Sequence, residues 1–165
     1  MVNTITESGM DFVDENVFHI EKSRLYTNLN DGVRSVEFVR IKDDKLIFVE
    51  AKASFPNPDN PCEENLEKFK SAIEELCEKF IHSLHLLSSV KLGVQIESLP
   101  IEFSLPERTS LVFLLVIKNH KFVWLKPIKG KIESTLPSVL KKIWKPEVIV
   151  INQAVAIKHG LVVLN

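Results

Sequence analysis

Val33 to Ser54 reads VRSVEFVRIKDDKLIFVEAKAS, two apolar runs separated by a pair of aspartates. Ser35 to Lys42 and Lys45 to Ala53 are rich in Val, Ile, Phe and Leu, and Asp43-Asp44 supplies turn chemistry between them. With both aspartates in the turn, Ile41 faces Leu46, Val39 faces Phe48, and Glu37 faces Glu50. Side chains alternate across a strand, so Glu37, Glu50 and Lys52 fall on one side of this hairpin. The same side carries Val39, Ile41, Leu46 and Phe48, which read as a core face. Charges set against a core call for a partner or a metal. On a solvated face, the same residues would instead form an ordinary Glu37–Lys52 or Glu50–Lys52 cross-strand pair.

An acid on one strand, a turn, and a hydrophobic strand ending in Glu-x-Lys resembles the core of the PD-(D/E)XK nuclease superfamily. The resemblance implies that Glu37 and Glu50 hold Mg²⁺ or Mn²⁺ and that Lys52 positions or activates the attacking water. Glu37 stands where Asp is usual, and Ser35-Val36 stands where a proline often precedes it. The residue types suit the chemistry. Mg²⁺ takes oxygen ligands and keeps several waters, so two carboxylates and a substrate phosphate suffice. A metal polarises the phosphate and lowers the pKa of a bound water, and a lysine stabilises developing negative charge.

The helix after the hairpin is the clearest element of the sequence. Leu66, Phe69, Ile73, Leu76, Phe80, Leu84 and Leu87 recur at steps of three or four. Phe55 to Pro61 (FPNPDNP) is a loop, since its prolines exclude regular structure. Pro61 is expected at the first helical position, with Asp59 or Asn60 as cap, and the helix should run to about Ser89 and end before Gly93. Several superfamily members use a Lys or Gln from this helix near the metal; Lys68 and Lys79 are both available. His82 and His85 lie three apart, with no third ligand in view.

Upstream, Ser8 to Val17 is expected to form a short first helix, and the resemblance implies an additional acid there: Glu7, Asp11, Asp14 or Glu15. Val17 to Glu21 and Leu25 to Leu29 suggest one or two strands, closed by an Asn30-Asp31-Gly32 turn. Glu21 either reaches Glu37 and Glu50 or remains a surface acid, the latter being the expectation. Downstream, residues 91–108 are irregular, with Pro100 and Pro106. Thr109 to Lys118 (TSLVFLLVIK) reads as a strand buried on both faces. Lys121 to Leu125 reads as another strand, ending at Pro127. Lys126 to Lys131 (KPIKGK) is the best candidate for phosphate contact, or else a solvated hairpin. Leu136 to Trp144 suggests an amphipathic helix and Glu147 to Ile151 a strand. Asn152 should cap a short helix that Gly160 ends.

The chain's 165 residues suit a single domain, 1–165, with a core over about 8–118 and a basic C-terminal extension over 119–165. Net charge is −1, but residues 1–107 carry 11 Lys/Arg against 20 Asp/Glu, and residues 108–165 carry 10 against 2. Such asymmetry could set a metal site beside a phosphate-contacting surface, or simply neutralise across the molecule. No secretory signal is expected, and Leu111 to Ile117 is far shorter than the roughly 20 residues a membrane-spanning helix needs. Cys62 and Cys77 read as free thiols of a cytoplasmic protein. The expected fold is α/β, a restriction-endonuclease-like αβββαβ core with a mixed central sheet flanked by helices. Two functions follow from the resemblance: a Mg²⁺-dependent nuclease acting on DNA, or a catalytically inactive nuclease-like domain that binds protein or nucleic acid. A homodimer would be in keeping with a nuclease of this size.

Overall fold

The computed structural model describes residues 3–29, 31–100 and 109–164. The hairpin forms as its pattern predicts: β4 (Phe38–Lys42) and β5 (Lys45–Lys52) pair antiparallel with Val39 opposite Phe48 and Ile41 opposite Leu46. Asp43 and Asp44 both adopt left-handed backbone, φ 50° and 59°, as a two-residue turn matched to the strand twist requires. β5 then pairs parallel with β6 (Ser110–Ile117), and β6 pairs parallel with β7 (Glu147–Asn152). β3 (Val17–Phe18) closes the other edge against β4, giving the sheet order β3-β4-β5-β6-β7. The architecture is α/β, with a mixed five-stranded sheet covered by helices.

Parallel neighbours need a long crossover, and α2 (Glu63–Lys91) supplies it between β5 and β6. Ile73, Leu76, Phe80, Leu84 and Leu87 form its buried stripe, as their spacing predicts, and Phe80 stacks on Phe113 of β6 at 4.6 Å between ring centroids. Leu66, by contrast, is 49% exposed, because the first turn of α2 overhangs the sheet. The helix starts two residues later than its proline suggests. Cys62 is the N-cap and offers no side-chain bond, while Asn60 Oδ1 accepts from Cys62 N and orders the preceding loop.

Several expectations are corrected. Residues 4–13 form a β-hairpin, not a helix: β1 (Thr4–Glu7) and β2 (Met10–Val13) are joined by Ser8 and Gly9, both with positive φ. Ile5, Met10 and Phe12 turn inward at the two-residue period of a strand, and the core they reach outweighs the weak helical pattern. A Cβ at Gly9 would meet only the movable Lys118 Nζ, at 2.8 Å, so it is the positive φ of 71° that favours glycine in this turn. Leu25 to Leu29 is not a strand. It belongs to α1 (Arg24–Leu29), whose start is capped by Ser23 Oγ accepting from Tyr26 N.

The third correction concerns the basic stretch. Lys121 to Leu125 is not a strand ending at Pro127, because α3 (Phe122–Thr135) contains that proline. Leu125, Ile128 and Ile132 bury one side of α3, and their helical spacing prevails over the single bond that Pro127 cannot make. KPIKGK is therefore helical, with Lys126, Lys129 and Lys131 exposed, rather than a hairpin. α4 (Ser138–Trp144) and β7 follow as predicted. Asn152 Oδ1 accepts from Val155 N to cap α5 (Gln153–Lys158), and Gly160 turns the chain with φ 65°. β8 (Val162–Val163) pairs with β2, so a three-stranded sheet β1-β2-β8 lies beside α5.

Two apolar clusters occupy the two faces of the main sheet. One joins Val39, Phe48, Phe113 and Leu115 to α2 and α3; the other joins Phe38, Val49, Leu114 and Val116 to β1, β2 and α5. The final third of the chain contributes to both, through α3, β7 and β8, rather than extending from a finished core. Asn30 of the predicted turn and residues 101–108 of the predicted irregular segment lie outside the described residues. Among the described residues, no helix is long and apolar enough to cross a membrane.

Candidate active site

The α2-facing side of the hairpin is apolar until its last residues. Val39 and Phe48 are buried under α2, and beyond them the pleat brings Glu50 to the same face, 0% exposed, and Lys52 after it. Glu37 precedes β4 and follows the ladder pair Phe38–Val49, so it lies opposite Glu50. Its position is fixed from the helix side as well: Val36 N donates to the buried Ser83 Oγ of α2 at 2.9 Å. The structure thus brings together the three residues of the Glu…Glu-x-Lys pattern.

Glu50 Oε1 receives two ammonium groups, Lys79 Nζ at 2.7 Å and Lys52 Nζ at 3.2 Å. Its Oε2 is buried without a hydrogen-bond partner among the described residues. Burial pushes the Glu50 carboxyl above the usual range, and Lys79 and Lys52 pull it back toward ionisation. Burial likewise works against the Lys79 ammonium, but Glu50, Glu37 and Glu21 outweigh it and hold its pKa above the ordinary lysine value. Glu37 is raised to about 8, first by burial, then by a hydrogen bond with Glu21 and the neighbouring charge of Glu50. A carboxyl in that state carries a proton at neutral pH. A cation beside it, or a rise in pH, favours loss of that proton.

Lys52 also faces Glu75 Oε1 at 3.7 Å, and Arg34 bridges Glu75 and Glu78 at 3.8 and 2.9 Å. A chain of alternating charges therefore runs from the buried Glu50 to the exposed side of α2. Lys79, left unassigned beside Lys68, and Glu21, expected to remain a surface acid, both reach the site. Lys79 had a legible signal: four residues before the buried Ser83 and one before Phe80, it flanks the apolar stripe instead of lying opposite it. Glu21 had a weaker one, its place just after an apolar run, and the expectation of a surface acid is corrected because the chain after β3 brings it to Glu37. Lys68, the other lysine considered on α2, pairs with Glu64 on the surface. His82 Nδ1 accepts from Arg34 N and so serves the backbone, with His85 one turn away.

The donor set fits a divalent cation on one count and resists it on another. Glu50 Oε2 is an unpaired anionic oxygen beside a carboxyl that is short of positive charge, and buried acceptors ordinarily have a donor or an ion. Two carboxylates with waters and a phosphate satisfy Mg²⁺. Against this, Lys79 already occupies Oε1, and among the described residues no three His, Cys, Asp or Glu side chains converge as metal ligands. Of Glu7, Asp11, Asp14 and Glu15, the acids considered for an additional role, Asp14 pairs with His19 at the surface, whereas the half-buried Glu7 pairs with Lys22, whose ammonium also feels Glu37 and Glu21. Comparisons with protein-family models, with curated proteins and with solved structures find no match.

Proposed function

We propose that this protein is a metal-dependent nuclease of the PD-(D/E)XK type, hydrolysing phosphodiester bonds in DNA. The observation that carries the reading is Glu50: wholly withdrawn from water, one oxygen free, beside Glu37 and two lysines, on a hairpin ending in Glu-x-Lys. The order of sheet strands also accords with a restriction-endonuclease-like core. An antiparallel β3-β4-β5 unit leads through α2 to a parallel β6. The opening helix of such a core has no counterpart here, since residues 4–13 form a hairpin.

In this reading Glu37 and the free oxygen of Glu50 hold Mg²⁺ or Mn²⁺, which supplies Lewis-acid polarisation and a bound water of lowered pKa. Lys79 works against the burial that raises the Glu50 carboxyl, and so favours its ionised form. Lys52, more open to solvent than Lys79, is free to turn from Glu50 toward a phosphate and offset its growing charge. Water adds to phosphorus, one P–O ester bond breaks, and the departing oxygen takes up a proton. Lys126, Lys129 and Lys131 give α3 an exposed cationic side suited to DNA phosphates.

Calorimetric titration with Mn²⁺ tests the site without a substrate. Wild type should bind one ion, Glu50→Ala none, and affinity should rise with pH up to about 8 as Glu37 loses its proton. Linear, nicked and branched DNA should then be cut by wild type and left intact by folded Lys52→Ala. Failure to bind Mn²⁺, with or without DNA, would remove the catalytic reading.

The second reading is a catalytically inactive domain of this architecture that binds protein or nucleic acid. The specific observation in its favour is the 2.7 Å Lys79–Glu50 contact, which gives the carboxylate a resident cation. Neutralising Lys126, Lys129 and Lys131 should then weaken DNA binding and flatten its salt dependence, while Glu50→Gln leaves it unchanged.

A further inference from the structure

The face of the sheet opposite Glu50 is incompletely covered. The β1-β2-β8 sheet and α5 pack over Phe38, Val49 and Val116. Toward the start of β5 and β6 a cavity of about 390 Å³ remains, floored by Ile47, Val112 and Ile149 and rimmed by Lys42, Lys45 and His159. Register explains the arrangement. Lys42 pairs with Lys45 across the turn, Ile47 with Val112, and Val112 with Glu147, so cations border the apolar floor along one side.

Among the described residues, no carboxylate lines this cavity, although Glu147, in register with Val112 on the same face, pairs with Lys45 Nζ at 3.7 Å beside the rim. Arg40 shares this face with Lys42, lies opposite Ile47, and is 4% exposed with Nε unpartnered among the described residues, but it is balanced by acids of its own rather than by the cavity. It borders an adjoining polar cavity that also includes Lys42, Glu15, Asp43 and Asp44. Small-molecule pockets run from about 300 to 1,000 Å³, with mostly apolar walls and a few polar groups that fix orientation. Apolar floor, cationic rim and volume together define an amphipathic anion.

We propose that this cavity binds a medium-chain aliphatic carboxylate, its alkyl tail over Ile47, Val112 and Ile149 and its carboxylate between Lys42 and Lys45. The site is on the other side of the sheet from Glu50 and does not depend on the nuclease reading. Charge-assisted bonds orient the head group, and burial of the tail supplies the driving force.

The test is calorimetry with decanoate and with decyltrimethylammonium, two ligands of equal tail and opposite head charge, below their micelle concentrations. Decanoate should bind saturably with one-to-one stoichiometry, and the cation at least about tenfold more weakly. Replacing both rim lysines, Lys42→Ala with Lys45→Ala, should weaken decanoate by about tenfold or more. Ile149→Trp should block the floor and abolish binding, with circular dichroism reporting the fold and the lysine variant standing in if it unfolds. Absent decanoate binding, equal affinity for both head groups, or indifference to the lysine changes would each overturn the proposal. So would a dimer, seen by light scattering, that Ile149→Trp dissociates, because a second copy would then be the occupant.

Discussion

Glu50 and Arg40 sit on adjacent strands of one hairpin and are both withdrawn from water, at 0% and 4% exposure. They point to opposite faces of the sheet, and their surroundings differ. Glu50 meets two ammonium groups within 3.2 Å, and Lys52 is tied further to Glu75 of α2. Arg40 has its Nε unpartnered among the described residues, and burial lowers its pKa with only Glu15 acting against the shift. A buried charge without compensation is costly. The α2 face has assembled its counter-charges within the fold, whereas the other face leaves room for an anion from outside.

Removing the compensation should have the largest effect. Lys79→Ala strips Glu50 of its nearer ammonium and should cost about 3 kcal/mol in urea unfolding, with Glu50→Gln/Lys79→Met recovering most of it. A single-variant cost under about 1 kcal/mol would mean that Lys52 or a proton suffices. A comparable effect should appear with pH. Because Glu37 is raised to about 8 when folded, against an ordinary 4.5, the folded state holds a proton that the unfolded state has lost between those values. Stability should therefore fall as pH rises from about 4.5 to 8, and Glu37→Gln should flatten that slope.

On the opposite face the sign reverses. Arg40→Met removes a buried cation whose Nε is unpartnered among the described residues and should be neutral or stabilising by about 1 kcal/mol; clear destabilisation would show that Glu15 and its neighbours compensate the charge. The smallest effect belongs to the solvent-exposed pair Lys68–Glu64, where Glu64→Gln should leave the unfolding midpoint unchanged.

The β4–β5 hairpin, α2, β6, α4, β7 and the Asn152 cap were legible because each is specified by neighbours in sequence. Alternation sets the hairpin faces, a three-to-four step sets α2, and a doubly buried apolar run sets β6. The misread segments are those where local signals are weak or mixed. Thr4 to Val13 has only a Ser8-Gly9 turn and two short alternations, which gain a meaning once Met10 and Phe12 find the sheet. Phe122 to Thr135 contains a proline and a glycine, yet Leu125, Ile128 and Ile132 have α2 and β7 to pack against. Tertiary burial overrode local propensity in both places.

The site divides in the same way. Glu37, Glu50 and Lys52 could be placed together from the sequence alone, since strand alternation and a two-residue turn leave one register open to them. Their protonation and pairing could not. Lys79 comes from a helix 29 residues after Glu50, and Glu21 from the chain before α1. Whether Glu50 is a solvated surface acid or a buried one held by two lysines depends on α2 lying across β5. That is a matter of packing between distant segments. The sequence determined the side of the hairpin on which the charges stand; the tertiary structure decided what they face, because desolvation and counter-charge arise only where the layers meet.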